Sequence, residues 1–109
     1  FHFEASEMDE HGWVVGFGDL KKLEKYLLEM YDHTMIIAED DPELSTFQDL
    51  HEKGLCDLRV VPEASLESSA KSALNKANEI LSEMTNGRAR CFQVEAREND
   101  KNSAIYTIS

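Results

Sequence analysis

Apolar residues recur at two different spacings along the chain, and the spacing separates helices from strands. Two segments have the three-and-four spacing of an amphipathic helix. The first is predicted over about residues 19–31, with its apolar positions at Leu20, Leu23, Leu27 and Met30. The second starts at Ser65, a residue type that caps helix N-termini, and ends at Asn86-Gly87, which favours a left-handed helix end.

Shorter alternating or uniformly apolar segments predict strands. They cover residues 1–6, 13–17, 58–61, 90–96 and 104–108. The fourth is expected to present Phe92, Val94 and Ala96 on one face, and residues 98–102 make the turn that follows it. Between the long helices, residues 35–37 are apolar, and residues 46–53 suit a short helix ended by Gly54.

The order of these elements predicts an α+β fold in a single domain, residues 1–109. Each long helix has one apolar stripe to bury, so we expect a four-stranded antiparallel sheet with both long helices on one face. The edge strands at residues 1–6 and 104–108 contain no proline that would prevent pairing with another chain. A symmetric homo-oligomer is therefore expected.

Charge and composition narrow the possible partners. The chain has 11 basic and 22 acidic residues, a net charge of −11, which gives no basic surface for nucleic acid and disfavours anionic membranes. No apolar run approaches membrane-spanning length, and the first residues do not resemble a signal peptide. Cys56 and Cys91 are too few for a disulfide framework, so we expect a cytoplasmic protein with reduced cysteines.

Asp32-His33 is the pair of residues best suited to catalysis. It supplies a carboxylate and an imidazole where the first long helix gives way to a loop, a place where a rigid element can hold reactive groups. Adjacent helical residues do not face each other, so the two need not be hydrogen-bonded. We expect both to point into a shared cleft, or one to point in while the other holds a neighbour. The alternative is a solvated helix end.

Four segments in order, residues 12–21, 31–34, 65–70 and 94–106, resemble the 6-pyruvoyltetrahydropterin synthase / 6-carboxytetrahydropterin synthase family. In that family a Gly-x-Val-x-Asp-Phe strand leads into a helix ending at Asp-His, and here Gly16 replaces the Asp of the strand. The resemblance implies the tunnelling fold, in which sheets of several subunits join into a barrel, here expected to be a homohexamer.

The resemblance also implies an activity. It is the zinc-dependent conversion of 7,8-dihydroneopterin triphosphate to 6-carboxy-5,6,7,8-tetrahydropterin, a carbon-carbon/carbon-oxygen lyase reaction of queuosine and deazapurine biosynthesis. One alternative is 6-pyruvoyltetrahydropterin synthase. An alternative from another class is a non-catalytic module for small-molecule binding or oligomerisation, because a fold does not dictate a function.

By resemblance, Asp32 and His33 belong to a Cys-Asp-His catalytic set. Glu98 matches the family's hairpin glutamate, whose carboxylate accepts hydrogen bonds from the amino group and the ring N–H of a pterin; the alternative is a plain turn acid. The chain starts within a strand, so we expect that it lacks the family's first strand and His-Gly-His segment. Zinc ligands and the catalytic cysteine are accordingly expected upstream of Phe1. No residue of the chain is assigned to metal, because its histidines lack ligand spacing.

Overall fold

The fold is taken from a computed structural model that describes residues 1–8, 12, 15–98 and 102–108, apart from the side chains of Phe17 and Asp19. Three helices are present in this part of the chain: α1 (Phe17–Tyr31), α2 (Leu44–Glu52) and α3 (Leu66–Thr85). Five strands accompany them: β1 (His2–Ala5), β2 (Met35–Ala38), β3 (Leu58–Val61), β4 (Ala89–Arg97) and β5 (Ser103–Thr107). The predicted α+β class is confirmed.

Two sheets form within the described residues, and neither closes into a barrel. β4 lies between β1 and β5 and pairs antiparallel with both, while β2 and β3 form a separate parallel pair. The predicted antiparallel sheet is therefore present with three strands in the described residues instead of four. The missing strand was expected at residues 13–17, where Trp13 and Val14 lie outside the described residues. Its last residue was assigned wrongly, because Phe17 begins α1.

Helix α3 covers the antiparallel sheet, and α1 packs mainly against α3 rather than lying on the sheet beside it. Small buried side chains bring α3 close to the strands: Ala70, Ala73 and Ala77. Leu74 and Leu81 fill the core between them, together with Leu23 from α1. The predicted ends of α3 are confirmed. Ser65 Oγ accepts a hydrogen bond from the Ser68 N–H at 3.0 Å, and Asn86 and Gly87 have φ values of 53° and 77°.

Strand β4 contains an irregularity that changes which residues face the core. Phe3 lies opposite Cys91, but His2 lies opposite Gln93, so Phe92 is an extra residue of the β-bulge type. Cys91 and Val94 both point into the core as a result. The predicted face is confirmed for Val94 and Ala96 and wrong for Phe92, whose ring lies 6.1 Å from that of His2.

The backbone beside this bulge is bonded by a side chain of α3. The Asn78 amide donates to the Cys91 carbonyl at 2.9 Å, and the Cys91 N–H donates to Asn78 Oδ1 at 2.7 Å. The Asn78 side chain thus satisfies both backbone polar groups of Cys91, because an amide offers a donor and an acceptor side by side.

Residues 35–61 form a small β2-α2-β3 unit beyond the end of α1. The predicted short helix is confirmed, and Gly54, with φ of 74°, follows its last turn. The Met35 N–H donates to the Asp57 carbonyl at 2.7 Å, and the Leu58 N–H donates to His51 Nδ1 at 3.1 Å. In the described part of the chain, no helix is long and apolar enough to cross a membrane.

Candidate functional site at the end of the sheet

Glu98 lies where β4 runs into its turn. Its N–H donates to the Asn102 carbonyl at 3.0 Å, so the first and last residues of the predicted turn are hydrogen-bonded to each other. Residues 99–101 lie outside the described part of the chain. The exposed Glu98 side chain borders a cavity of about 310 Å³. The other lining residues come from β2 and from the start of α3: Ile36, Ala64, Ser65, Leu66 and Ser69.

A second cavity, of about 330 Å³, lies beside the first and shares Leu66 and Ser69 with it. Its other walls are the last turn of α1, through Leu27 and Tyr31, and the end of β4 at residues 94–97, with Phe1 at one side. The end of β4 and the start of α3 therefore border two adjoining open cavities, one completed by α1 and the other by β2.

Asp32 and His33 belong to the short chain segment that follows α1, and neither residue lines either cavity. The residues on either side of this segment do line them: Tyr31 lines the second cavity and Ile36 lines the first. His33 Nδ1 lies 2.9 Å from Asp32 Oδ1. The expectation that helical neighbours would not face each other does not apply, because α1 ends at Tyr31 and His33 is left-handed, with φ of 56°.

The contact between Asp32 and His33 is compatible with a tautomer in which the imidazole can act as a base. When Nδ1 carries the hydrogen and donates it to Asp32, Nε2 is left as a proton acceptor. The His33 side chain is 92% exposed and that of Asp32 is 56% exposed, so the described residues do not enclose the pair. Among the described contacts, Asp32 bonds to His33, and neither residue bonds to Glu98.

Two residues that the sequence did not single out hold the end of α1. The Thr34 hydroxyl donates to the Met30 carbonyl at 2.6 Å. The Arg59 guanidinium donates to the Glu29 carbonyl, from Nη2 at 2.8 Å and from Nε at 3.1 Å. The available signal was the last turn of α1, which contains no basic residue to complement its exposed carbonyls.

Neither cysteine takes the place of a catalytic thiol. Cys91 is fully buried, and this burial raises the pKa of its thiol, which keeps the group neutral and unreactive. Cys56 is partly buried, with Sγ 3.8 Å from the Phe47 carbonyl.

The described residues do not fit a zinc site. Across residues 1–8, 12, 15–98 and 102–108, no three His, Cys, Asp or Glu side chains are grouped so that they could hold a metal ion. The Nδ1 of His51 already accepts a backbone hydrogen bond, and His11 lies outside the described residues. No chemical step is therefore assigned to zinc on this part of the chain.

Comparisons with known proteins identify the family. A family model described as 6-pyruvoyl tetrahydropterin synthase matches residues 1–109, and the chain belongs to this family. Membership supports a tetrahydropterin-synthase-like function and a lyase-type enzyme of pterin metabolism. No curated protein matches the chain at a significant level.

A solved structure, that of an uncharacterized protein, WS1659, from Wolinella succinogenes, has a similar fold. The TM-score is 0.80 at 20% sequence identity, over 98% of this chain and 73% of the other. At this identity the likeness concerns the fold alone.

Proposed function

We propose that this chain binds the pterin ring of 7,8-dihydroneopterin triphosphate at Glu98 and contributes to its conversion to 6-carboxy-5,6,7,8-tetrahydropterin. The observation that carries the proposal is the position of Glu98, whose carboxylate borders a cavity that is also lined by Ile36, a residue of the strand that follows Asp32 and His33 in the chain. Family membership supports the substrate class.

The chemistry of a pterin suits this cavity. Its amino group and ring N–H form a two-donor edge, and one carboxylate accepts both bonds in parallel. A volume of about 310 Å³ is at the lower end of ligand pockets, the scale of a single bicyclic ring. Ile36 and Leu66 offer apolar contacts for the ring faces, and Ser69 offers a hydroxyl at the boundary with the second cavity.

The Asp32-His33 pair supplies the proton transfers in this proposal. Asp32 holds the Nδ1 hydrogen, so Nε2 is available to take a proton from the substrate side chain and to return it. The second cavity, which Tyr31 lines, gives that side chain room beside the ring. Triphosphate leaves during the reaction, and in the 6-carboxy reaction a two-carbon fragment leaves as acetaldehyde.

The exposure of Asp32 and His33 favours a site that is completed by a neighbouring copy of the chain. A reactive pair that is open to water in one chain becomes enclosed when subunits join, which strengthens its electrostatic interactions. We therefore propose a homohexameric barrel with sites between subunits. Zinc remains a prediction, with ligands that the described residues do not supply. Both cysteines are free thiols, which fits a reducing compartment, and we place the reaction in the cytoplasm.

The test is to incubate the intact, assembled protein with 7,8-dihydroneopterin triphosphate and to identify the product by mass spectrometry. The proposal predicts 6-carboxy-5,6,7,8-tetrahydropterin together with acetaldehyde. A 6-pyruvoyl product without acetaldehyde would indicate the pyruvoyl enzyme instead. Pterin binding without turnover would indicate a non-catalytic binding module.

A further inference from the structure

Arg59 joins the end of α1 to the β2-α2-β3 unit. Its guanidinium donates two hydrogen bonds to the Glu29 carbonyl, one of the last carbonyls of α1. The same group is held by Asp57, with Nη1 at 2.6 Å from Oδ1 and Nη2 at 3.3 Å from Oδ2. The Arg59 side chain is 32% exposed, so these bonds are partly shielded from water.

This contact lies close in the fold to the connection that carries Asp32 and His33. The connection that carries the pair, residues 32–34, runs from the end of α1 to the start of β2, and β2 pairs along its whole length with β3, the strand of Arg59. The Asp32 N–H itself donates to the Leu28 carbonyl at 3.1 Å, in the turn that Arg59 caps. The guanidinium also places a positive charge at the negative end of α1.

We propose that Arg59 is a positioning residue for the Asp32-His33 pair. By clamping the Glu29 carbonyl to β3, it keeps the last turn of α1 closed and holds His33 in its left-handed conformation, with the imidazole beside Asp32. The proposal rests on the proposed proton-transfer role of that pair. Arg59 itself touches neither reacting group, so its effect is on geometry.

The experiment compares Arg59→Gln, Arg59→Lys and Lys25→Gln in the intact protein. Lys25→Gln is the matched control, because it also removes one positive charge near Glu29 but contacts the Glu29 carboxylate at 3.9 Å rather than the carbonyl. Amide hydrogen exchange at Asp32 is measured in each variant, together with kcat and KM for the pterin substrate. Arg59→Gln is also made in the His33→Ala background.

Losing a charge-assisted bond at the helix end should make Asp32 exchange at least about tenfold faster in Arg59→Gln. A small displacement of a proton-transfer group should lower kcat about tenfold with KM unchanged. Arg59→Lys should lie between the wild type and Arg59→Gln in both measurements. Lysine keeps the positive charge but lacks the planar guanidinium that bonds to Glu29 and Asp57 together. Adding Arg59→Gln to His33→Ala should lower kcat no further.

Wild-type exchange at Asp32 in Arg59→Gln, or the same change in Lys25→Gln, would overturn the proposal. So would an equal loss of kcat in the presence and absence of His33. If Arg59→Gln does not fold, the same measurements are compared between Arg59→Lys and Lys25→Gln. Faster exchange at Asp32 and a lower kcat in Arg59→Lys alone would support the proposal, and equal values in the two variants would overturn it. If the wild-type protein turns over no pterin, the proposed function fails while exchange at Asp32 still tests the role of Arg59.

Discussion

Replacing Asn78 by alanine should destabilise the protein by removing both hydrogen bonds to the Cys91 backbone. These bonds, at 2.7 Å and 2.9 Å, join α3 to β4 at the irregular position of that strand. Cys91 is fully buried, and alanine offers its N–H and carbonyl no replacement partner.

The size of the stability loss follows from the two backbone groups of Cys91 that are left without a hydrogen bond. A peptide group that loses its partner in a buried place costs about 1–3 kcal/mol, and two groups are affected, so we expect a loss of roughly 2–6 kcal/mol. Alanine is the better helix former by several tenths of a kcal/mol, which offsets part of this loss. Asn75→Ala is the matched control, because Asn75 is exposed on the same helix and its replacement carries the propensity gain alone.

Urea unfolding at a fixed protein concentration measures the difference between the two variants, since assembly makes apparent stability depend on concentration. Asn78→Ala should be less stable than Asn75→Ala by about 2–6 kcal/mol. A difference below about 0.5 kcal/mol would refute the reasoning, because it would mean that the Asn78 bonds add nothing beyond solvent contacts.

Three further predictions concern the site and the assembly. His33→Ala and His33→Asn should each reduce turnover by roughly a hundredfold or more, because each removes the proton-transfer group. The melting temperature should change little, because the His33 side chain is 92% exposed and asparagine tolerates a left-handed backbone. Turnover near the wild-type rate would show that His33 is only a residue at the end of a helix. Light scattering should show a homohexamer, and a monomer at micromolar concentration would contradict the completed site. Metal analysis of the intact protein should find about one zinc per subunit, and zinc held by His2 or His51 would show that the ligands were placed wrongly.

Features set by local chemistry could be predicted from the sequence. Both ends of α3 were predicted because Ser65 and Asn86-Gly87 act on their own neighbouring backbone. Features that depend on distant pairing could not. The register of β4 changes at Phe92 through its pairing with β1, and no pattern within β4 carries that information.

The same division holds for the candidate site. Residue types and their place at a helix end pointed to Asp32 and His33, but the hydrogen bond between them depends on the left-handed turn at His33. Arg59 escaped prediction because its partner Glu29 lies 30 residues away in the chain. A bond of this kind appears only once the β2-α2-β3 unit is folded against α1.

Glu98 carries the central claim, and calorimetric titration of a pterin such as sepiapterin or biopterin tests it most directly. The intact protein is compared with Glu98→Gln and with the control Glu67→Gln, which makes the same change in the exposed first turn of α3. Glutamine turns a donor toward the donors of the ring, so affinity should fall about ten- to a hundredfold in Glu98→Gln and stay unchanged in Glu67→Gln. Equal affinity of Glu98→Gln and the wild-type protein would remove Glu98 from the site and contradict the pterin assignment.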